Sequence, residues 1–164
     1  MILFNIDQPI VSKKIFCYPS RDMNLSIKRI DKTLPLPQYH TPGSVAFDFY
    51  ARKEVKIAPF SPVVVPTNLI IKVPKGHFLM IASRSSVPIK KGLILSGGVI
   101  DQDYHGDEDE IGVVMINITN KTVTVEKGER IAQGLLIKIS TVEKFIEKTT
   151  MAKKSRGGFG STGK

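Results

Sequence analysis

The segment at residues 97–106 contains the residue types in this chain that are best suited to chemistry. Two glycines open it, two apolar residues follow, and Asp101, Asp103 and Tyr104 come next. Paired glycines allow a tight turn and let a ligand approach main-chain groups closely. A carboxylate at Asp101 can accept a proton from a water molecule that other groups polarise. The same residues are also typical of a β-hairpin with a solvated acidic turn.

A second acid, Asp48, lies in the alternating segment at residues 45–51. Val45, Phe47 and Phe49 are predicted to share one face of a strand, which directs Asp48 to the other face. Two interpretations are open. Asp48 is an exposed acid on a half-buried strand, or it is a carboxylate presented to a site.

The segment at residues 83–88 combines three serines and Arg84 ahead of a proline. This order predicts the N-cap and first turn of a short helix, which Gly92 would end. Free N–H groups, hydroxyls and an arginine at a helix start favour anion binding. Simple capping beside a surface arginine explains the same residues, and for this segment alone it is the preferred interpretation.

Short β-rich runs separated by proline and glycine fill most of the chain. This pattern predicts an all-β sandwich, barrel or jelly roll. Hairpin turns are expected at Asn120-Lys121 and Lys127-Gly128. The predicted strands are residues 25–30, 45–51, 55–57, 63–65, 69–73, 77–82, 93–95, 112–118, 122–125 and 130–139.

Length and composition indicate one intracellular domain. The chain has 164 residues, 41% of them hydrophobic, without an apolar run long enough to cross a bilayer. The first residues do not resemble a signal peptide. The single cysteine, Cys17, excludes an internal disulfide and a cysteine-based zinc site. We therefore expect a cytoplasmic protein, or a nuclear one if the source is eukaryotic or viral.

The charge indicates an anionic partner. Lys and Arg total 24 against 15 for Asp and Glu, a formal charge of +9. A nucleic acid and a phosphorylated small molecule both satisfy this balance. Residues 101–110 nevertheless contain six carboxylates. A general nucleic-acid binder gains nothing from that many acids beside its most distinctive loop.

The segment at residues 151–164 has four glycines, four basic residues and one aromatic residue, Phe159. This composition cannot form a core, so we expect the segment to be mobile when no ligand is bound. Arginine, hydroxyls and exposed amides can enclose phosphates while a ring stacks on a base. A disordered basic tail is the alternative.

Five segments, in fixed order, closely resemble the five motifs of the trimeric dUTP pyrophosphatase (dUTPase) family. The resemblance runs from about residue 25 to residue 164. It predicts an N-terminal lead of unknown role at 1–23, a β domain at 24–150 and a closing lid at 151–164. The five segments are PGSVAFD at 42–48, SRSS at 83–86, GVIDQDY at 98–104, GERIAQ at 128–133 and RGGFGSTG at 156–163.

The resemblance implies a distorted jelly roll of the β-clip type with one short helix. It implies a homotrimer whose sites lie between subunits, without a membrane or nucleic-acid partner. The implied reaction is hydrolysis of dUTP to dUMP and pyrophosphate with Mg²⁺ on the triphosphate. That reaction lowers dUTP and supplies dUMP for thymidylate synthesis.

Residue roles also follow from the resemblance. Asp101 would deprotonate the attacking water, Tyr104 would pack under the deoxyribose and exclude a 2′-hydroxyl, and Asp48 would reach Mg²⁺ through water. The other implied substrate-binding residues are Arg84, Ser85, Ser86, Gly97, Gly98, Val99, Ile100, Gly112, Gln133, Arg156, Phe159, Gly160, Ser161 and Thr162.

The sequence departs from the common family pattern at four places. Ala46 replaces a common glycine, Gly134 interrupts an apolar strand, and only two residues separate Arg156 from Phe159. The acidic run at 107–110 lengthens the turn after Gly106. For this run a solvated loop is preferred over an extra cation site or a subunit contact.

Two other functions are compatible with parts of this pattern. A dCTP deaminase shares the fold and some middle motifs, but the glycine tail with Phe159 favours a dUTPase. A non-catalytic binding or regulatory module on the same fold is the other alternative. The presence of Asp101, Tyr104 and Phe159 argues against loss of catalysis.

Overall fold

The protein is described by a computed structural model covering residues 23–151, 153–155 and 157. This part of the chain has eleven strands and one short helix, so the predicted all-β class with one helix is confirmed. The elements are β1 Ser26–Arg29, β2 Phe47–Tyr50, β3 Val55–Ile57, β4 Pro62–Pro66, β5 Leu69–Lys72, β6 His77–Ser83, α1 Ser86–Lys91, β7 Leu93–Leu95, β8 Gly98–Ile100, β9 Gly112–Asn117, β10 Val123–Val125 and β11 Arg130–Lys138.

The strands pair mainly with partners that are distant in sequence. The largest sheet has the order β2-β11-β6-β8, and a second has the order β4-β9-β7. Two further pairs, β1 with β5 and β3 with β10, complete the antiparallel pairing. Fully buried side chains from several of these strands meet between the sheets, among them Phe49, Ile57, Leu79, Leu93 and Met115.

Strand β2 is buried on both faces, which differs from the predicted alternation. Val45 precedes the strand and is 75% exposed, whereas Phe47, Asp48 and Phe49 are all buried. The aromatic side chains of β2 also explain Gly134. A Cβ at that position would lie 2.6 Å from Cε2 of Phe49, so the glycine allows β11 to pack against β2.

The turns at Asn120-Lys121 and Lys127-Gly128 do not form hairpins. Strand β9 pairs with β4 and β7, β10 with β3, and β11 with β2 and β6. The strands on either side of each turn therefore belong to different sheets. The turn residues predict a reversal or bend of the chain, but they do not specify which strand the next one joins.

Helix α1 begins and ends near the predicted residues. Ser85 precedes it without a side-chain capping bond, which differs from the prediction, and Gly92 closes it at a φ of 62°. The Gly92 N–H donates to the Pro88 carbonyl at 2.9 Å. The described residues include no helix that is long and apolar enough to cross a membrane.

Candidate active site

Asp48 is at the centre of a cluster of positively charged and basic groups. It is 6% exposed. Its Oδ1 lies 3.0 Å from Nε of Arg84, and its Oδ2 lies 3.2 Å from Nη1 of Arg130. His40 Nε2 is 2.9 Å from the same Oδ2. A buried carboxylate needs such partners because its charge has lost water. Of the two interpretations of Asp48, the exposed acid is therefore wrong.

Backbone irregularity brings Arg130 to this cluster. Gln133 faces Asp48 across the β2–β11 pair, and the register shifts between Arg130 and Ala132. Side chains alternate along a regular strand, so Arg130 would otherwise point away from the side that Gln133 occupies. A bulge re-aims a side chain in this way and is typical of strand ends beside functional sites.

The cluster borders an open cavity of about 400 Å³. Gln133 is held in its wall by a bond from Nε2 to the Ser83 carbonyl at 2.9 Å. Ser85 is exposed, Ser86 is half-buried, and neither hydroxyl has a hydrogen-bond partner among the described residues. Guanidinium groups and free hydroxyls are suited to phosphate oxygens. The lining residues are His40, Ser44, Ala46, Asp48, Ser83, Arg84, Ser85, Ser86, Arg130 and Gln133.

The segment at residues 97–106 forms the edge strand β8 and a following loop rather than a hairpin. Gly98, Val99 and Ile100 face Ile81, Met80 and Leu79 of β6. Gly97 has a φ of 33°, and a Cβ on Gly98 would lie 3.1 Å from Cβ of Ile81. These two glycines are therefore required by a turn and by close packing. The side chains that anchor the segment lie on one face of β8 only.

The exposure of the residues near Asp101 shows what holds it. Ile100 packs against the core, whereas Val99 is 63% exposed. Of these two apolar residues, only Ile100 therefore anchors the loop to the core. Asp101 is exposed and has no hydrogen bond or ion pair with any residue that the structure describes. Its carboxylate is free to meet a ligand or another chain.

Tyr104 is tied to the loop that follows it. The ring is partly open to solvent, with 41% of the residue exposed, and Oη donates to the Glu110 carbonyl at 3.2 Å. Gly112, just beyond, begins β9, where a Cβ would lie 2.5 Å from Cγ1 of Val64. The glycine at 112 is therefore explained by packing against β4, and its substrate role stays a prediction.

The acidic run at 107–110 is exposed at Asp107 and Glu108, as in the preferred solvated loop, but half-buried at Asp109 and Glu110. Lys28 Nζ lies 2.8 Å from Asp107, and this contact lowers the pKa of the Asp107 carboxyl. Arg52 donates two hydrogen bonds to the part-buried Glu110, which raise the pKa of the Arg52 guanidinium. Both ends of the run are thus attached to the rest of the domain.

Asp48 and Asp101 lie too far apart to share one small ligand within a chain. Gln133 pairs with Asp48 on one side and with Ala82 of β6 on the other. Asp101 follows Ile100, which pairs with Leu79 of β6. Three strand spacings across the sheet and about four residues along it correspond to a separation of about 20 Å. The chain therefore presents two half-sites. One is the cavity beside Asp48, and the other is the segment that carries Asp101 and Tyr104.

The donor set around Asp48 does not fit direct binding of a metal. Both carboxylate oxygens already face positively charged or basic groups, and the described residues include no cluster of three His, Cys, Asp or Glu suited to a metal ion. Mg²⁺ prefers several oxygen ligands and keeps its waters. A water-mediated contact from Asp48 stays a prediction.

Two residues that contact Asp48 were not singled out from the sequence. Arg130 lies in the fourth motif, so its charge beside Gln133 was an available signal. His40 lies in a proline-rich loop, and its sequence neighbours give no signal of its contact with Asp48. Five predicted residues lie outside the described part of the chain: Arg156, Phe159, Gly160, Ser161 and Thr162.

Comparison with known proteins gives a consistent result. A deoxyuridine 5′-triphosphate nucleotidohydrolase of Hydrogenobaculum sp. is 40% identical over 146 residues, covering 86% of this chain and 99% of its own. The dUTPase structure from Streptococcus mutans is 32% identical with a TM-score of 0.66, covering 72% of this chain and 98% of its own.

A more distant structure shows the shared fold alone. A mutant dUTPase from phage phi11 of Staphylococcus aureus, described with a structural Mg(II) ion, has a TM-score of 0.68 at 20% identity and covers 77% of this chain and 99% of its own. The sequence model of the dUTPase family matches residues 32–163, including every segment that carries the half-sites. The chain therefore belongs to the dUTPase family.

Proposed function

We propose that this protein hydrolyses dUTP to dUMP and pyrophosphate at sites completed between subunits of a homotrimer. The observation that carries the proposal is the pair of half-sites. One offers arginines and hydroxyls to a triphosphate, and the other offers a free carboxylate and an aromatic ring. We further propose that the enzyme works inside the cell, where it limits dUTP and supplies dUMP.

The phosphate half-site supplies positioning and charge neutralisation. Arg84 and Arg130 reach the same cavity as Ser85, Ser86 and Gln133. Phosphoryl transfer is accelerated mainly by such groups, because charge is spread over the phosphate oxygens. A triphosphate would share the two guanidinium groups with Asp48. The buried carboxylate then keeps the arginines in place before the substrate arrives.

Asp101 provides the base. A water held by its carboxylate attacks the α-phosphorus. The bond from this atom to the oxygen that bridges the α- and β-phosphates breaks, and pyrophosphate leaves with that oxygen. The proton of the water passes to the carboxylate. A general base must lie within hydrogen-bond reach of the water, which requires the substrate of one half-site to meet Asp101 of another chain.

Tyr104 provides sugar discrimination. Its phenol end is anchored while part of the residue remains exposed. A ring packed against C2′ of deoxyribose leaves no room for a hydroxyl. The backbone of Gly97, Gly98, Val99 and Ile100 lies at the sheet edge, where main-chain groups can pair with the edge of uracil.

Mg²⁺ enters this scheme as part of the substrate. It neutralises charge on the triphosphate, whose oxygens and waters provide its preferred ligands. We propose that Asp48 accepts a hydrogen bond from one of those waters. Arg156, Phe159, Gly160, Ser161 and Thr162 are proposed to close over the bound nucleotide.

The trimer is supported by apolar surface that a second copy would cover. Residues 140–150 are all exposed, with Val142, Phe145 and Ile146 at 62%, 88% and 67%. An apolar groove of about 410 Å³ is also open, lined chiefly by Met23, Leu25, Ile27, Leu36, Tyr39 and Phe47. Exposed apolar surface of this kind is typical of an interface between protein chains.

The test is product release from dUTP, UTP and the four standard deoxynucleoside triphosphates. Pyrophosphate release from dUTP with Mg²⁺, much faster than from UTP or dCTP, is expected. Ammonia release from dCTP would support the deaminase alternative instead. Tight nucleic-acid binding without turnover of dUTP would support a binding module. Light scattering of a fully active monomer would contradict the shared site.

A further inference from the structure

The loop that carries Tyr104 is anchored by an ion pair with no part in the proposed substrate contacts. Nε and Nη2 of Arg52 donate to the two carboxylate oxygens of Glu110, at 2.8 Å each. This two-point geometry fixes orientation as well as distance. Glu110 Oε1 also accepts the main-chain N–H of Asn68 at 2.8 Å. Three donors therefore hold the Glu110 side chain.

The partners of Glu110 belong to the rigid part of the domain. The Arg52 N–H donates to the Pro66 carbonyl at 2.8 Å. Asn68 is 2% exposed, and its side chain accepts from the Asp31 N–H at 2.6 Å and donates to the Asp31 carbonyl at 2.9 Å. Glu110 is thus attached to the β2–β3 and β4–β5 connections rather than to a mobile surface.

The position of Glu110 is transmitted to Tyr104 through one bond. Tyr104 Oη donates to the main-chain oxygen of Glu110, which closes a loop over Asp107, Glu108 and Asp109. Within this loop, the Asp109 N–H donates to the Gly106 carbonyl at 3.1 Å, and the Gly106 N–H donates to the Asp109 carboxylate. The Arg52 contact holds the end of the loop at the residue to which Tyr104 is attached.

We propose that the Arg52–Glu110 ion pair is a positioning device that sets how strongly the enzyme prefers deoxyribose to ribose. The inference rests on the proposed contact between the Tyr104 ring and C2′ of the sugar. A ring that loses its anchor tilts and leaves space beside C2′, so UTP gains access while dUTP still binds. The loss of the anchor therefore lowers the ratio of kcat/KM for dUTP to kcat/KM for UTP, called the dUTP/UTP ratio below.

The experiment measures kcat/KM for dUTP and UTP in Glu110→Gln, Arg52→Met and Tyr104→Phe. Each variant is expected to lower the dUTP/UTP ratio about three- to tenfold, the effect of losing one neutral hydrogen bond. Because both substrates are measured on one preparation, a change in the folded fraction cancels. Glu110→Gln keeps an acceptor for Asn68, which protects the fold.

Lys28→Met is the matched control. It removes the exposed ion pair with Asp107 in the same loop, away from the Tyr104 anchor. We expect its dUTP/UTP ratio to equal that of the unmodified enzyme. An equal loss in this control would overturn the assignment to Arg52 and Glu110, because any loosening of the loop would then suffice.

Two further variants separate this inference from the sugar contact on which it rests. Tyr104→Ala is expected to lower the ratio by more than tenfold, since the whole ring is removed. An unchanged ratio there would refute the sugar contact itself. A lowered ratio there, with unchanged ratios in Glu110→Gln and Arg52→Met, would refute only the positioning role.

A double variant tests the route of the effect. If Glu110 acts through the Tyr104 hydroxyl, Tyr104→Phe with Glu110→Gln should lower the ratio no further than either change alone. Additive losses would show that Glu110 acts by another path, and the proposal would then fail.

Discussion

The two acids of the proposed chemistry, Asp48 and Asp101, have opposite environments. Asp48 is buried against Arg84, Arg130 and His40, whereas Asp101 is exposed and lacks a partner among the described residues. A buried carboxylate must be compensated when the chain folds, but an exposed one need not be. Folding therefore completes the phosphate half-site, and binding of substrate or another chain completes the half-site at Asp101.

The largest expected effect is loss of the base. Asp101→Asn keeps the shape of the side chain but cannot accept the proton from water. We expect kcat to fall about 10²–10⁴-fold, the usual contribution of a general base. Binding of a non-hydrolysable dUTP analogue, measured by calorimetry, should change little because the phosphates are held elsewhere.

The control for this variant is Asp103→Asn, a change two residues along the same loop. It should leave kcat within a few-fold of the unmodified enzyme. Near-normal kcat in Asp101→Asn, or equal losses in both variants, would refute the assignment of the base.

The second prediction tests whether the two half-sites of one site come from different chains. Asp101→Asn and Arg84→Ala should each be nearly inactive alone. After random assembly of equal amounts of the two variants into symmetric trimers, each mixed trimer would hold one site that combines an intact Arg84 with an intact Asp101, roughly a quarter of all sites. Activity should therefore rise after the two variants are unfolded together and refolded.

The matched control is each variant unfolded and refolded alone, which should stay inactive. A mixture that remains as inactive as its components, although light scattering shows mixed trimers, would place both half-sites of one site on the same chain. That result would also contradict the separation of about 20 Å inferred from the strand register.

The third prediction concerns stability. Asp48→Asn removes the charge that compensates Arg84, Arg130 and His40. Since both arginines keep part of their side chains in solvent, we expect the free energy of unfolding to fall by about 1–3 kcal/mol. Asp101→Asn, at an exposed position without partners, should stay within about 0.5 kcal/mol. Urea unfolding of both variants measures the difference.

Equal stabilities would contradict the cluster. Arg84→Met is a useful companion, because it leaves Asp48 with two partners and should fall between the two aspartate variants. A loss in Arg84→Met larger than that in Asp48→Asn would contradict this order, and it would show that the buried Asp48 charge depends chiefly on Arg84.

The sequence predicted the elements of the fold better than their arrangement. Short β-rich runs located strands close to β3, β7 and β11, because proline or glycine lies near one end of each: Pro59 after β3, Gly92 before β7 and Gly128 before β11. Turn residues at Lys127-Gly128 indicated a reversal but not that β10 and β11 join different sheets. Pairing depends on contacts between residues far apart in sequence, which no local pattern contains.

The candidate site shows the same division. The motifs identified Arg84, Asp101, Tyr104 and Gln133 by type and order. They could not show that Asp48 is buried, because that depends on Arg130, which a bulge re-aims, and on His40 in a distant loop. The position of Glu110 was also missed, since an acidic run is usually solvated and its partner Arg52 lies far away in the sequence.

The smallest expected effect is at Asp31, an acid intermediate between Asp48 and Asp101. It is partly exposed but paired, with Oδ2 lying 2.7 Å from Nζ of Lys127. Hydrogen bonds from Lys127 and Thr33 hold the pKa of its carboxyl well below the ordinary value of 3.8. The unfolded chain then binds the proton more tightly than the folded one, so protonation favours unfolding.

The direction of this pKa shift sets the pH range in which Asp31 stabilises the fold. Asp31 stabilises the fold fully above pH 3.8, and the contribution is lost as the pH falls below that value toward the lower folded-state pKa. Asp31→Asn should therefore lower Tm slightly at pH 6, and its Tm should converge with that of the unmodified protein as the pH falls.

Because the ion pair between Asp31 and Lys127 is exposed, 1 M salt should also reduce the Tm difference at pH 6. Lys127→Met should give the same salt dependence, and the double variant should lose no more than either single one. A Tm difference that persisted unchanged to pH 2, or that grew with salt, would show that Asp31 does not stabilise the fold through its charge. It would then not be the intermediate case between Asp48, whose charge must be compensated, and Asp101, whose charge is left free.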